Sequence, residues 1–130
     1  MSAENEDLTL RVVNEVWNGR NADLVDDFYA PDFVCHFEPG EDWLGPEGVR
    51  AQLARVHESL EDFHERVDEM FAEGDRVAAR TNVSGFVTDE VAGTRKRIST
   101  MGLLVFRISE GRIAEQWEIA NVAGMVAQLR

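Results

Sequence analysis

His36 is the side chain in this sequence best suited to move a proton near neutral pH, because an imidazole titrates at about pH 6.5. It lies in a short aromatic and β-branched stretch, residues 33–37. The same histidine could instead tie that stretch to a neighbouring backbone, a common use of a half-buried imidazole. The sequence leaves both interpretations open.

A second set of candidate residues lies in the stretch 76–88, where strand alternation separates a polar row from an apolar row. The polar row is Arg80, Asn82, Ser84 and Phe86, and the apolar row is Val77, Ala79, Thr81 and Val83. If the polar row faces a cavity, Arg80 and Asn82 are substrate-binding residues. The alternative is a solvated outer face on which Arg80 pairs with acidic neighbours.

Two tryptophans are candidates for the wall of a binding site. In the last predicted strand, alternation puts Glu115, Trp117, Ile119 and Asn121 on one face. Trp117 is expected to be pocket wall or core, and Glu118 points to the other side unless a bulge intervenes. Trp43 lies in a predicted loop, where a large aromatic side chain caps a ligand or contributes to an interface.

Other kinds of site have no support in the sequence. His57 and His64 are seven residues apart and belong to no zinc-binding motif, and solvent exposure is the simpler interpretation of His57. Glycine-rich phosphate loops and a Gly-x-Ser-x-Gly elbow do not occur. We therefore expect no metal and no cofactor.

Composition indicates one globular domain over residues 1–130. The net charge of −12 disfavours nucleic acid and anionic membranes as partners, since both are bound through Lys and Arg. Cys35 is the sole cysteine, so an intrachain disulfide is impossible and a buried thiol is expected. With no apolar run long enough to span a bilayer, a cytoplasmic protein is predicted.

The pattern of apolar residues predicts three helices near the start of the chain. Helical spacing predicts a first helix over residues 5–18. Asn21 is a suitable N-cap for a short second helix that must end before Pro31. A third helix begins at Pro46 and extends to about residue 61.

From residue 63 onward the pattern predicts an antiparallel meander. Turn signals separate four runs, residues 63–72, 76–88, 95–108 and 112–120, which are long enough to require a strongly curved sheet. In the first run Glu65 and Glu69 share a face with apolar residues, so the strand either contains a bulge or lies at a sheet edge. Residues 122–129 predict a short helical tail that closes a pocket or docks on a second subunit.

Several short motifs occur in an order that is characteristic of one family. They are Trp17-Asn18-Gly19 with Ala22-Asp23, Tyr29-Ala30-Pro31-Asp32-Phe33 with His36, Gly45-Pro46-Glu47-Gly48, Glu73-Gly74-Asp75-Arg76-Val77, and Glu110-Gly111-Arg112-Ile113 leading to Gln116-Trp117-Glu118. Together with the order of elements, they resemble the SnoaL-like polyketide cyclase branch of the NTF2-like proteins. The resemblance implies an α+β cone in which three N-terminal helices pack on a strongly curved antiparallel sheet.

The resemblance also implies a homodimer that needs no metal or cofactor and encloses a small apolar or aromatic carbonyl ligand. In the cyclases a carboxylate, four residues after a tryptophan that matches Trp117, acts as acid and base in an aldol-type ring closure. Here that position is Asn121, whose amide has no useful basicity but can orient a carbonyl or a water. In relatives similar to limonene-epoxide hydrolase, an arginine and an acid that match Arg80 and Asn82 position water.

Three hypotheses follow. The first is a cofactor-free enzyme for aldol-type cyclisation or isomerisation, with His36 as proton carrier and Asn121, Arg80 and Asn82 orienting polar atoms. The second is a non-catalytic ligand-binding or dimeric accessory protein that lost the family's acid. The third is a hydrolase of the limonene-epoxide type, which would need an acid near Arg80, and the alternation face of Arg80 carries none.

Overall fold

The computed structural model describes residues 2–129, and the chain begins with a long helix. Helix α1 (Ser2–Arg11) continues without a break into a π-helical segment, Val12–Asn18, which we call the π-turn. A 3₁₀ turn (Ala22–Leu24) then leads into α2 (Val25–Phe28). The Asn21 side chain accepts a hydrogen bond from the Asp23 N–H at 3.2 Å, which confirms the predicted cap.

The third helix follows two strands. Strand β1 (Tyr29–Glu38) starts earlier than the predicted residues 33–37, and the two-residue β2 (Trp43–Leu44) pairs with it. Helix α3 (Gly45–Ser59) has Pro46 in its first turn, where a missing N–H costs nothing.

The predicted meander is confirmed as four long antiparallel strands, β3 (Glu61–Glu73), β4 (Arg76–Asp89), β5 (Thr94–Ser109) and β6 (Arg112–Ala120). The order across the six-stranded sheet is β2-β1-β6-β5-β4-β3. Strand β1 runs parallel to β6, with His36 opposite Trp117. The sheet is therefore antiparallel except at this pair.

Both alternatives for the first long strand hold. Strand β3 is an edge strand, and its pairing with β4 is irregular between Glu61 and His64 and again between Val67 and Glu69. The second irregularity shifts the alternation, so Glu65 stays on the face of buried Phe63 whereas Phe71 is 66% exposed.

One face of the sheet, the inner face, is covered by the π-turn and the helices. Val77 and Ala79 on β4 and Leu104 and Phe106 on β5 are buried there. Cys35 is fully buried as a free thiol, as predicted. The opposite side, the outer face, carries no helix among residues 2–129.

The chain ends in α4 (Val122–Ala127), which lies against β5. Asn121 caps it by accepting the Gly124 N–H at 2.9 Å. The Gln128 side chain pairs with both backbone groups of Ser99, accepting its N–H at 3.0 Å and donating to its carbonyl at 2.7 Å. These bonds hold α4 against β5, beyond the end of β6.

Candidate active site: two carboxyl groups on an apolar cavity

A cavity of about 160 Å³ lies between the π-turn, α3, α4 and the inner face. Its walls are mostly aromatic and aliphatic, and include Trp17, Phe37, Trp43, Phe63, Leu104 and Phe106. Val122 and Met125 of α4 also line it, so the C-terminal helix forms part of the enclosure. Such a volume encloses about one aromatic ring, since a dry cavity of about 150 Å³ holds benzene.

Three aromatic rings form a continuous wall on one side. The Trp17 and Trp43 ring centroids are 6.0 Å apart, and Phe37 stacks on Trp43 at 5.5 Å. Trp17 Nε1 donates a hydrogen bond to the Tyr29 hydroxyl at 3.0 Å, which fixes the indole. Of the six site residues predicted from the sequence, Trp43 alone lines this cavity.

Glu118 places the first of two carboxyl groups in the cavity. It lies on β6 beside Gln116, whose Nε2 donates to Glu118 Oε1 at 2.6 Å. Burial raises the pKa of Glu118 to about 7, although the bond from Gln116 works against that shift. Gln116 Oε1 is buried and has no hydrogen-bond partner among residues 2–129, a local cost of about 1–3 kcal/mol.

Glu65 places the second carboxyl group in the same cavity. Burial is the main reason that its pKa rises to about 8, and the charge of Glu118 raises it further. A hydrogen bond with Thr81 has the opposite, smaller effect. Between pH 7 and pH 8, therefore, the Glu118 carboxyl group is mostly ionised while the Glu65 carboxyl group mostly keeps its proton.

His36 lies on the outer face, away from the cavity. Its Nε2 is 2.7 Å from Glu115 Oε2, and its ring stacks on Trp117 with centroids 5.6 Å apart. The hydrogen bond to Glu115 is the main cause that raises the pKa of His36, and nearby Asp42 adds to it. Trp117 also packs against Arg76, whose guanidinium carbon is 5.0 Å from the ring centroid.

Of the two alternatives for the polar row of β4, the structure shows the solvated outer face on which Arg80 pairs with acids, and it places Trp117 of β6 outside the inner cavity. Arg80 pairs on the outer face with Asp68 at 3.4 Å and Glu69 at 3.6 Å, and Asn82 shares that face. The apolar row of β4 faces inward because its burial under the helices removes more apolar surface from water. On β6, Trp117 correspondingly lies on the outer face and Glu118 on the inner face.

The side chains of Asn121 and His57 each bond to a backbone group. The Asn121 side chain is exposed and caps α4, so its amide bonds a backbone group of its own chain. His57 is half-buried, not solvated as expected, with Nε2 2.7 Å from the Trp17 carbonyl oxygen and its ring against Phe63. Within residues 2–129, no group of three or more His, Cys, Asp or Glu side chains could hold a metal ion.

Sequence reasoning did not select Glu65 or Glu118, although a signal for each was present. Glu65 lies between Phe63 and Val67 on a strand, so its charge interrupts an apolar face. Glu118 occupies the opposite face from Trp117. A carboxylate inside an otherwise apolar row is a feature of sites with shifted pKa values.

Comparison with known proteins agrees with this architecture. The sequence profile of the SnoaL-like polyketide cyclases matches residues 7–129, so the chain belongs to that family. Curated proteins contain no sequence match to it. Among residues 2–129, no helix is long and apolar enough to cross a membrane.

Solved structures give the same fold. TsrD from Streptomyces laurentii superposes with a TM-score of 0.81 at 25% identity, over 98% of this chain and 95% of that one. AclR from Streptomyces galilaeus gives 0.83 at 25% identity, over 99% and 86% of the two chains. IdmH from Streptomyces antibioticus gives 0.84 at 24% identity, over 96% and 97%. These neighbours confirm the NTF2-like cone.

The two raised pKa values predict how stability depends on pH. Both exceed the ordinary glutamate value of 4.5, so between about pH 4.5 and 8 the folded state binds more protons than the unfolded state. Stability should therefore fall as pH rises through this range, by up to about 1.4 kcal/mol per pH unit for each group.

Glu65→Gln removes one of these contributions. The free energy of unfolding of this variant, measured by urea denaturation, should increase relative to wild type as pH is raised from about 5 to about 8.5. Because other titrating groups are common to both proteins, the difference isolates Glu65. A difference that stays constant over this range would contradict the assignment.

Proposed function

We propose that this chain is a cofactor-free acid/base enzyme that binds a small, largely apolar carbonyl compound and moves a proton at the carbon next to the carbonyl. The observation that carries the proposal is the pair Glu65 and Glu118 on one otherwise apolar cavity. Glu118 and Glu65 take the role of proton carrier that the sequence suggested for His36, and Asn121, which was expected to orient polar atoms, has no part in the proposal. The reaction class is aldol-type cyclisation or isomerisation.

The two carboxyl groups suit complementary steps. Glu118, with a pKa of about 7, ionises first and removes a proton from the carbon next to the carbonyl. Glu65, with a pKa of about 8, keeps its proton longer and donates it to the carbonyl oxygen. The resulting enol then attacks a second carbonyl and closes a ring: the acceptor oxygen takes the proton held by Glu118, and the enol O–H proton returns to Glu65. For isomerisation, the enol takes the proton from Glu118 at another carbon instead and returns its O–H proton to Glu65.

The cavity favours neutral ligands. One wall is aromatic, and the pair of acids carries negative charge once Glu118 ionises, which disfavours carboxylate or phosphate groups at that position. The volume of about 160 Å³ suits one ring of a ligand, with any further ring near α4. A small aromatic ketone meets these conditions.

Proton exchange tests the proposal without knowledge of the natural substrate. The probe is 1-indanone in D₂O, and NMR measures how fast its protons next to the carbonyl exchange. The wild-type protein should accelerate exchange, with a maximum between about pH 7 and pH 8. Glu118→Gln should slow the catalysed rate by about 10²–10⁴-fold, because an amide cannot act as the base.

Glu115→Gln is the matched control, since Glu115 lies on the same strand but on the outer face. It should leave the exchange rate unchanged. Binding of 1-indanone without any exchange above background would support the alternative of a non-catalytic ligand-binding protein. Equal loss in both variants would reject the assigned role of Glu118.

We also propose that a second copy of the chain covers the outer face. Phe71, Leu103 and Ile119 are 66%, 50% and 60% exposed around an apolar groove of about 370 Å³. Apolar patches of this kind mark interfaces. Arg80 and Glu69 lie at the same groove, so the face offers both signs of charge for a self-complementary twofold contact.

Light scattering after size-exclusion chromatography tests this dimer. The wild type should have the mass of two chains at micromolar concentration, and Leu103→Glu should have the mass of one, because it buries a charge in the contact. Val91→Glu is the control, since Val91 is fully exposed in the β4–β5 turn away from this face. A monomeric wild type would contradict the proposal.

Cys35 supports a cytoplasmic location as part of the same proposal. Burial raises the pKa of its thiol, which therefore stays neutral. A lone buried thiol suits a reducing compartment.

A further inference from the structure

An asparagine side chain takes the place of a neighbouring strand at the free edge of β3. Asn18 Nδ2 donates to the Glu65 carbonyl at 2.7 Å, and Asn18 Oδ1 accepts the Glu65 N–H at 2.7 Å. Both backbone groups of one residue are thus satisfied by one carboxamide, 47 residues earlier in the chain. No second residue of β3 has such a pair of bonds with a side chain among residues 2–129.

At Glu65, the pairing of β3 with β4 does little to fix which face of the sheet the side chain points to. Pairing with β4 is irregular before His64 and after Val67, so the regular stretch that carries Glu65 is only four residues long. A slip by one residue would move Glu65 to the outer face and bring Arg66 inward. Solvation of the ionised Glu65 carboxylate would favour that slip, whereas burial of the Arg66 guanidinium would oppose it.

Asn18 is itself held firmly. It ends the π-turn, directly after Trp17, whose carbonyl oxygen is 2.7 Å from His57 Nε2 on α3. The Trp17 indole is bonded to Tyr29 on β1. The carboxamide is therefore connected to two other elements of the fold, and π-helical turns often occur where a helix contributes to a functional site.

We propose that Asn18 is a positioning residue: its carboxamide fixes the register of β3 at Glu65 and so directs the Glu65 carboxyl group into the cavity. This inference rests on the proposed function for the role of Glu65 as the acid. The position of Glu65 can be measured without substrate, so the two can fail separately.

The test is an NMR titration of the Glu65 side-chain carboxyl carbon in Asn18→Ala. The pKa of Glu65 should fall from about 8 by about one unit or more, because the freed strand lets water reach the carboxyl group. Exchange of the Glu65 N–H with solvent should accelerate in parallel. Asn14→Ala is the control, since Asn14 contacts Asn18 and does not contact Glu65; its Glu65 pKa should match wild type.

A merely structural asparagine gives a different result. If Asn18→Ala lowers the melting temperature but leaves the pKa of Glu65 unchanged, the proposal is overturned. If Asn18→Ala does not fold, Asn18→Ser replaces it, because a hydroxyl is too short to bond both backbone groups. A smaller fall in the Glu65 pKa is then expected, and no fall overturns the proposal.

Discussion

The main constraint on the candidate site is that two carboxyl groups lie inside an apolar cavity. Removing a carboxylate from water is unfavourable, so Glu65 and Glu118 both resist ionisation, and the charge of Glu118 adds to that resistance at Glu65. Each has one polar partner on the same sheet, Thr81 for Glu65 and Gln116 for Glu118. Aromatic and aliphatic side chains form most of the remaining wall. The raised pKa values and the apolar lining are therefore consequences of the same arrangement.

Sheet edges around the cavity are completed by side-chain amides. Asn18 bonds both backbone groups of Glu65 on the free edge of β3, and Gln128 does the same for Ser99 on β5, beyond the end of β6. A carboxamide has the donor and acceptor of a peptide group, so it satisfies an edge without another strand. A small sheet can in this way stay open beside its cavity without leaving these backbone groups unpaired.

Much of the fold could be predicted from periodicity, because helices and long strands leave repeated patterns. The helix that begins at Pro46 and the meander after residue 60 are examples. The parallel pairing of β1 with β6 left no such signal, since it joins segments about 80 residues apart. The conical arrangement was predicted from the family resemblance, whereas the individual helices and strands were predicted from local sequence patterns.

The site was harder to predict. Alternation correctly grouped Arg80 with Asn82 and separated Trp117 from Glu118, but it does not say which group faces inward. Burial decides that question over the whole sheet: the apolar row of β4 turns inward, and β6 must then present Glu118 to the same side. The irregular pairing around Glu65 depends on contacts with β4 and Asn18, which the sequence of β3 alone does not contain.

The central claim is that Glu65 and Glu118 share one water-poor cavity, and an NMR titration of their side-chain carboxyl carbons in the wild-type protein tests it most directly. The account predicts two coupled transitions near pH 7 and pH 8, with Glu118 ionising first. Replacing Glu118 by glutamine should shift the Glu65 transition to lower pH, whereas Glu65→Gln should leave the Glu118 transition near pH 7, because Glu65 is still protonated when Glu118 ionises. Two independent transitions near the ordinary glutamate value of 4.5 would contradict the account.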